Sequence, residues 1–320
     1  MKTITVAMLT YNHEKYIEKA IQSVLEQKTE YPVQLVIGED ASTDATADII
    51  RMYKQKYSDK IQAILRTKNI GIKANSLDVL RQCQGDYVAY LEGDDYWTDP
   101  YKLQKQVDFL ERHSDYVAVY HKCEIINEKG DPVSFDITYT EKKKYTIREL
   151  EKFLIPGQTS TLLVRNFWKD EMDLEELMDM VKYSALDRIV PVLALSRGKI
   201  YCMQQKMSVY RYIIQPGSWS YRFHRGDYLW RMYGFLIHRE VEKIGKKLGM
   251  SISYRKLDAK LYSENIRKCI YYKKIGFLFL NFFMMLVGNH RFYMVVAGNR
   301  DLWHRQKKKR WSRIKNTGER

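Results

Sequence analysis

The sequence predicts an α/β fold organised around a mostly parallel central sheet. Three observations carry that expectation. Short apolar runs alternate with amphipathic helical stripes through the first third of the chain. The runs Ile4–Leu9, Val33–Ile37, Ile61–Leu65 and Tyr87–Leu91 lack the polar alternation of a half-exposed strand, as strands covered on both faces do. Three of them end in polar clusters: Thr10-Tyr11-Asn12, Glu39-Asp40-Ala41-Ser42-Thr43-Asp44 and Glu92-Gly93-Asp94-Asp95.

The elements follow in order. After Ile4–Leu9, Asn12 is placed to cap a helix whose apolar stripe is Tyr16, Ile17, Ala20, Ile21, Val24 and Leu25. Ser42 and Thr43 are candidate caps for the helix carrying Ile49, Ile50 and Tyr53. Asn69-Ile70-Gly71 turns the chain into a helix through Leu77 and Leu80. Pro100 opens a helix that runs to about His113. Beyond it, Tyr116–Tyr120, Glu124–Asn127, Ser160–Val164, Ile200–Met203 and Met207–Tyr212 read as strand pieces, and Thr146–Leu154 as a short helix. After Gly217 the pattern is helical, with breaks near Gly249 and Gly276. The expected organisation is a domain over 1–217, a helical extension over 218–303 and a basic tail over 304–320.

Composition narrows the function classes. The 320 residues are 45% hydrophobic and 29% charged, which suits a globular protein and excludes wholesale disorder. Four scattered cysteines and seven histidines show no zinc-ligand spacing, and a reducing compartment is expected. The formal charge of +15 is uneven. From Tyr201 to Arg320 there are 26 Lys and Arg against 7 Asp and Glu; the residues before Tyr201 hold 28 against 32. Such asymmetry points to a polyanionic partner, a membrane surface or nucleic acid. No window reaches the roughly 18 apolar residues of a spanning helix, and no secretory leader is visible. The densest apolar stretch is Ile275–Val287.

In an open parallel sheet, ligands bind beyond the carboxyl ends of the strands, where the three polar clusters fall. The turn after the first strand has neither the Gly-x-Gly-x-x-Gly of a dinucleotide site nor a Walker-type loop. Carboxylates beside a diphosphate repel it unless a divalent cation stands between, and Mg²⁺ or Mn²⁺ suits Glu92, Asp94 and Asp95.

Taken together, four segments resemble the family 2 glycosyltransferases, inverting enzymes of the GT-A fold. These are Val6 to Asn12 with its following helix, Glu39 to Asp44, Asn69-Ile70-Gly71, and Gly85 to Trp97, in the family's order. The resemblance covers roughly residues 1–215 and implies a GT-A domain that binds a nucleotide-sugar donor, with UDP the expected nucleotide. It implies that Asp40 accepts a hydrogen bond from the base and that Thr10 and Tyr11 touch the nucleotide. It implies that Asp94 serves the ribose and diphosphate, and that Asp94 and Asp95 hold a divalent metal, Mn or Mg. Glu92 stands where the family more often has Asp. Lys73 reads as a solvated helix-start lysine.

Inverting transfer needs one general base to take the acceptor hydroxyl's proton. Asp187 is the candidate, because Asp187-Arg188 precedes the apolar Ile189–Leu195 and then Gly198-Lys199-Ile200, similar to the family pattern that carries the base. A helix-start Asp favoured by the macrodipole is the plainer role of the same residue, and the two are compatible. Asp170, Glu171, Asp173 and Asp179 read as a solvated charged face. Thr159, Ser160 and Thr161 either line the pocket or pack at a strand edge, and neither Arg211 nor His224 is assigned.

At the far end, Lys307-Lys308-Lys309-Arg310 between Trp303 and Trp311 lies close to Ile275–Val287. An apolar helix plus a basic patch suits an anionic membrane surface better than a specific nucleic acid. The expected location is cytoplasmic, peripheral at the inner face of the cell membrane, with a glycan or lipid-linked acceptor. The alternative function is a non-catalytic basic adaptor on a transferase-like domain.

Overall fold

The computed structural model describes residues 1–133, 139–169, 174–182, 186–214 and 228–271, with 275–276 and 278–279. Among these, nine strands form one sheet: β1 Ile4–Thr10, β2 Val33–Glu39, β3 Ile61–Leu65, β4 Tyr87–Glu92, β5 Tyr96–Trp97, β6 Tyr116–Ile126, β7 Lys144–Tyr145, β8 Leu163–Arg165 and β9 Lys199–Arg211. Their spatial order is β3-β2-β1-β4-β8-β6-β9-β5, with β7 also on β9. The β3-β2-β1-β4 block is parallel. Short β8 then runs antiparallel between β4 and β6, and β6 and β9 are again parallel to each other.

The helices are α1 Ile17–Leu25, α2 Thr46–Lys56, α3 Ile72–Gln82, α4 Lys102–Arg112, α5 Ile147–Leu150, α6 Leu174–Met180, α7 Leu186–Leu195, α8 Tyr228–Lys247 and α9 Arg255–Tyr271. They cover both sheet faces, as the uniformly apolar strands require. On one face, Val6 and Met8 pack with Ile17 and Ile21 of α1, Ile50 of α2 and Leu103 of α4. On the other, Ala7 and Val36 pack with Val79 of α3, Ile189 and Leu193 of α7, and Ile237 and Val241 of α8. The α8 helix thus shares a core with the sheet. Ile17, Ala20 and Ile21 are fully buried, so α1 is held by its stripe. Each such isoleucine contributes about 1.5–3 kcal/mol.

Several elements differ from the expectation, each for a local reason. Asn12 does not cap α1. Its backbone is left-handed (φ 56°), and its Oδ1 accepts from Thr43 N–H at 2.8 Å. Nor do Ser42 or Thr43 cap α2; Asp44 Oδ1 takes Thr46 N–H at 3.0 Å. The pieces 116–120 and 124–127 form one strand, β6, as do 200–203 and 207–212 in β9. Register shifts between β6 and β9 absorb the polar Gln204-Gln205-Lys206 as an irregularity within the pairing, where the sequence suggested a break. Ser160 lies in a 3₁₀ turn, Thr159–Thr161, ahead of β8. Gly249 (φ 73°) does separate α8 from α9, as a left-handed residue past a helix end. The segment after Gly217 up to residue 227, most of Ile275–Val287 and the tail 304–320 lie outside the described residues.

Candidate active site

Parallel pairing sets the first half of the site. Thr10 of β1 stands opposite Glu39 of β2, and Leu9 opposite Glu92 of β4, so the three polar clusters emerge at one edge. The loops after β1 and β2 are tied to each other. His13 N–H donates to Thr46 Oγ1 at 2.8 Å, Asn12 N–H to Ser42 Oγ at 2.9 Å and Ala45 N–H to Glu14 Oε2 at 3.1 Å. Glu39 is buried, and its Oε1 accepts Ser42 N–H at 2.6 Å.

Asp40 follows β2 at this edge and is 3% exposed. Its Oδ1 accepts Ile70 N–H at 2.8 Å and its Oδ2 accepts Gly71 N–H at 2.9 Å. The carboxylate therefore anchors the loop after β3, and each oxygen keeps a further lone pair. Arg66 Nε is 4.0 Å from Asp40 Oδ1, while its Nη2 pairs with Asp78 at 2.7 Å. Sequence reasoning passed over Arg66; its position directly after β3 was the available signal.

Thr10 is buried, with Oγ1 within hydrogen-bond distance of His13 Nδ1 (3.2 Å), whereas Tyr11 is 43% exposed and faces outward. His13 Nε2 is 3.9 Å from Asp94 Oδ2, so the β1 and β4 loops meet through this histidine. The sequence gives His13 no metal-ligand spacing; its place three residues past Thr10, in the strand-end turn, is the cue to this role. Gly93 permits the approach. A Cβ there would lie 2.6 Å from Thr10 Oγ1 and 2.9 Å from His13 Nδ1.

The acidic cluster is graded. Asp94 is the open member, its side chain 22% exposed. Burial, with Asp94 and then Asp187 adding negative charge, pushes the Glu92 carboxyl up to about 8. Asp95 is fully enclosed; burial first, then Asp94 and Glu92, holds its carboxyl well above the usual range. Its Oδ1 accepts Arg211 N–H at 2.9 Å, and the buried Ser160 hydroxyl beside the carboxylate, like that N–H, opposes the rise. The Arg211 guanidinium lies over Tyr16 (4.7 Å) and Tyr96 (5.2 Å), which ties the end of β9 to this edge.

The second half comes from distant sequence. Asp187, in the first turn of α7, lies within electrostatic reach of Glu92. Its Oδ1 is buried without a hydrogen-bond partner among the described residues. Burial raises its carboxyl, and Arg188 opposes that rise. Asp187 lines a small cavity with Tyr90, Tyr120, Gly157, Thr159 and Leu186. The sequence-assigned carboxylates Asp94, Asp95 and Asp187 are thus brought into one electrostatic cluster around Glu92, while Asp40 sits on the flank with Thr10 and Tyr11.

A divalent metal is tested by this donor set. Among the described residues, no three Asp, Glu, His or Cys side chains converge as a complete protein cage. Mg²⁺ and Mn²⁺ do not need one, since they are often shared between one or two carboxylates and substrate phosphates. The mutual repulsion of Glu92, Asp94 and Asp95, with Asp94 open to solvent, fits such a shared cation.

Comparison with known proteins agrees with this geometry. The model of glycosyl transferase family 2 matches residues 5–167, half of the chain, and the chain belongs to that family. The uncharacterized protein Mb1547 of Mycobacterium bovis is 46% identical over 127 residues, 40% of this chain and 37% of that protein. The uncharacterized glycosyltransferase alr2836 of Nostoc is 30% identical over 215 residues, 65% of this chain and 64% of that protein. The matched stretch therefore spans less than two thirds of either relative. The crystal structure of Staphylococcus aureus TarS in complex with UDP superposes with a TM-score of 0.55 at 18% identity, over 82% of this chain and 70% of that one. A second TarS structure holds UDP-GlcNAc. At that identity the likeness establishes the shared GT-A fold.

Proposed function

We propose that this chain is an inverting glycosyltransferase. It moves a hexose or N-acetylhexosamine from a UDP-sugar to a hydroxyl of a growing, lipid-linked surface glycan. The observation that carries the reading is the buried Asp187 carboxylate beside Glu92, whose Oδ1 has no hydrogen-bond partner among the described residues, at the edge where the β1, β2 and β4 loops converge. A base near the anomeric carbon must be close to the diphosphate site yet separate from it, and this arrangement has that form.

In the proposed reaction the acceptor oxygen attacks the anomeric carbon while Asp187 takes its proton. The carbon–oxygen bond to the diphosphate breaks, and UDP leaves with the electron pair. Thr10 and Tyr11 border the nucleotide. Asp40 fixes the 69–71 loop and offers a remaining lone pair to the base. Asp94 and Asp95 are the proposed metal ligands with unequal parts: Asp94 is open, and Asp95 offers only Oδ2. The cation, when bound, neutralises the diphosphate and acts as a Lewis acid. TarS, which shares the fold, has been solved with UDP and with UDP-GlcNAc, and this supports the choice of donor.

The deciding experiment is a screen of nucleotide-sugars for UDP release in Mn²⁺ or Mg²⁺. Release from one UDP-sugar that rises with a glycan acceptor supports the proposal; release from none, alongside unimpaired folding, sinks it.

Residues 270–315 are proposed to attach the enzyme to the cytoplasmic leaflet. No described helix is long and apolar enough to cross a membrane. Ile270, Tyr271, Ile275 and Phe279 are exposed and precede the basic tail. Binding to phosphatidylglycerol vesicles at low salt, lost on replacing Lys307, Lys308, Lys309 and Arg310 with Gln, supports attachment. RNA binding in the same buffer without vesicle binding overturns it.

A further inference from the structure

The residue after the proposed base is held by a residue 35 positions earlier in the chain. Arg188 lays its guanidinium over the Phe153 ring at 3.8 Å, and its Nη1 donates to Phe153 O at 2.9 Å. Phe153 has a left-handed backbone (φ 61°), unusual for an aromatic residue, and such outliers persist only where surrounding contacts enforce them. Those contacts come from the helical extension. The Phe153 ring meets His238 of α8 edge-on at 4.7 Å, and His238 stacks on Tyr254 at 4.3 Å. His238 is buried, and its Nδ1 is 2.5 Å from Asp258 Oδ1 of α9, which also pairs with Arg239 at 3.3 Å.

Two further ties join the extension to the segments before α7 and before Phe153. Lys182 N–H, just ahead of the Asp187 segment, donates to Glu240 Oε2 of α8 at 2.6 Å. Ser253 N–H, between α8 and α9, donates to Glu151 Oε1 at 2.9 Å, two residues before Phe153.

We propose that the helical extension positions Asp187, through a stack running from Asp258 and His238 to Phe153 and Arg188. This rests on the reading of Asp187 as the base. His238, Phe153 and Arg188 are positioning residues that fix the aim and the charge environment of one carboxylate. The groups facing Asp187 are Arg188 on its own helix, Glu92 of β4, and Tyr90 and Tyr120 across the cavity. Arg188 is the cation among them, and it also faces Tyr145 and Tyr254. A loosened Arg188 therefore leaves burial unopposed, and the Asp187 carboxyl titrates at higher pH.

The test reads that titration directly, so it needs no known donor. In the full chain with ¹³C-carboxyl aspartate, the Asp187 signal is the one lost in Asp187→Asn. Phe153→Leu keeps an apolar side chain but removes the ring face. It should move the Asp187 midpoint up by about one pH unit, and Phe153→Tyr should restore it. Arg188→Lys keeps the charge without the planar face and should move the midpoint in the same direction, which covers the case in which Phe153→Leu does not fold. An unmoved midpoint in a folded Phe153→Leu, or in Arg188→Lys if that variant alone folds, overturns the proposal. With the turning-over UDP-sugar, Phe153→Leu should shift the acid limb of the kcat profile upward and lower kcat several-fold at fixed UDP affinity. If Asp187→Asn keeps full turnover while Phe153→Leu still moves the midpoint, the base assignment fails and the positioning stands. If Asp187→Asn abolishes turnover while Phe153→Leu leaves the midpoint unmoved, the reverse holds.

Discussion

The two halves of the candidate site are built differently. The nucleotide edge is made by three adjacent parallel strands whose loops bond to one another within a few residues of the strand ends. The Asp187 side is made by residues 92, 120, 157 and 187, which no short stretch of chain connects, and it is braced by helices beyond residue 228. The contrast teaches where each half should fail. The first is vulnerable to single atoms at its crossings, the second to the loss of distant support.

The largest expected effect lies on the Asp187 side. Asp187→Asn keeps shape but cannot take a proton, so kcat should fall roughly 10²-fold or more. UDP affinity by calorimetry should stay within a factor of two or so, because the nucleotide edge is untouched. Equal losses in both measurements would erase the distinction between the halves.

Next comes Asp94→Asn. It should weaken Mn²⁺-dependent UDP binding by about tenfold or more, a loss of order 1.4 kcal/mol. Asp95→Asn should weaken it as well while the protein stays folded, because the amide oxygen can still receive Arg211 N–H but the amide nitrogen then replaces Oδ2, the proposed metal ligand. EDTA should abolish turnover of the unaltered chain; full activity in EDTA would remove the metal from the reaction.

A third prediction addresses the crossing at Gly93. Alanine there sets a carbon 2.6 Å from Thr10 Oγ1, so one of the two loops must shift. The expected cost is about 1–3 kcal/mol of stability, read as a lowered Tm, with UDP binding weakened alongside. An unchanged Tm would mean that the β1 and β4 loops are looser than drawn.

The last expected effect is in pH dependence. Glu92 holds its proton up to about 8 in the folded chain, against an ordinary glutamate value near 4.3 when unfolded. Between those values the folded state binds the extra proton, so stability should fall as pH rises from about 4.3 to about 8 and level off above. Glu92→Gln should flatten that slope in a Tm series, and a slope that survives the substitution assigns it to other groups.

The same contrast explains how much was legible in sequence. Strand ends are local features: an apolar run followed by Thr10-Tyr11-Asn12 or Asp40 can be read directly, because parallel pairing carries each cluster to the same edge. Asp187 was read from its apolar helix and Gly-Lys-Ile strand. Its neighbours Gly157 and Tyr120 were not, because long-range packing alone brings them there. Misreadings at Asn12 and Ser42 share a cause. Both residues looked like helix caps, but each found a partner in the other loop, a competition that local propensity cannot foresee. Asp95 looked equivalent to Asp94 until the arrival of β9 enclosed it.

That last strand also sets an order of events during synthesis. β9 is the shared neighbour of β5, β6 and β7. The β3-β2-β1-β4 block can pair as soon as its own residues emerge, since its contacts lie within the first 92 residues. The rest of the sheet waits. Until β9 has been made, β5 and β7 have no strand partner among the described residues, β6 presents an open edge, and Asp95 lacks the Arg211 backbone N–H that secures it. A ribosome stalled before that point would display a half-sheet with a sticky border, an expected client for a chaperone that binds exposed strands.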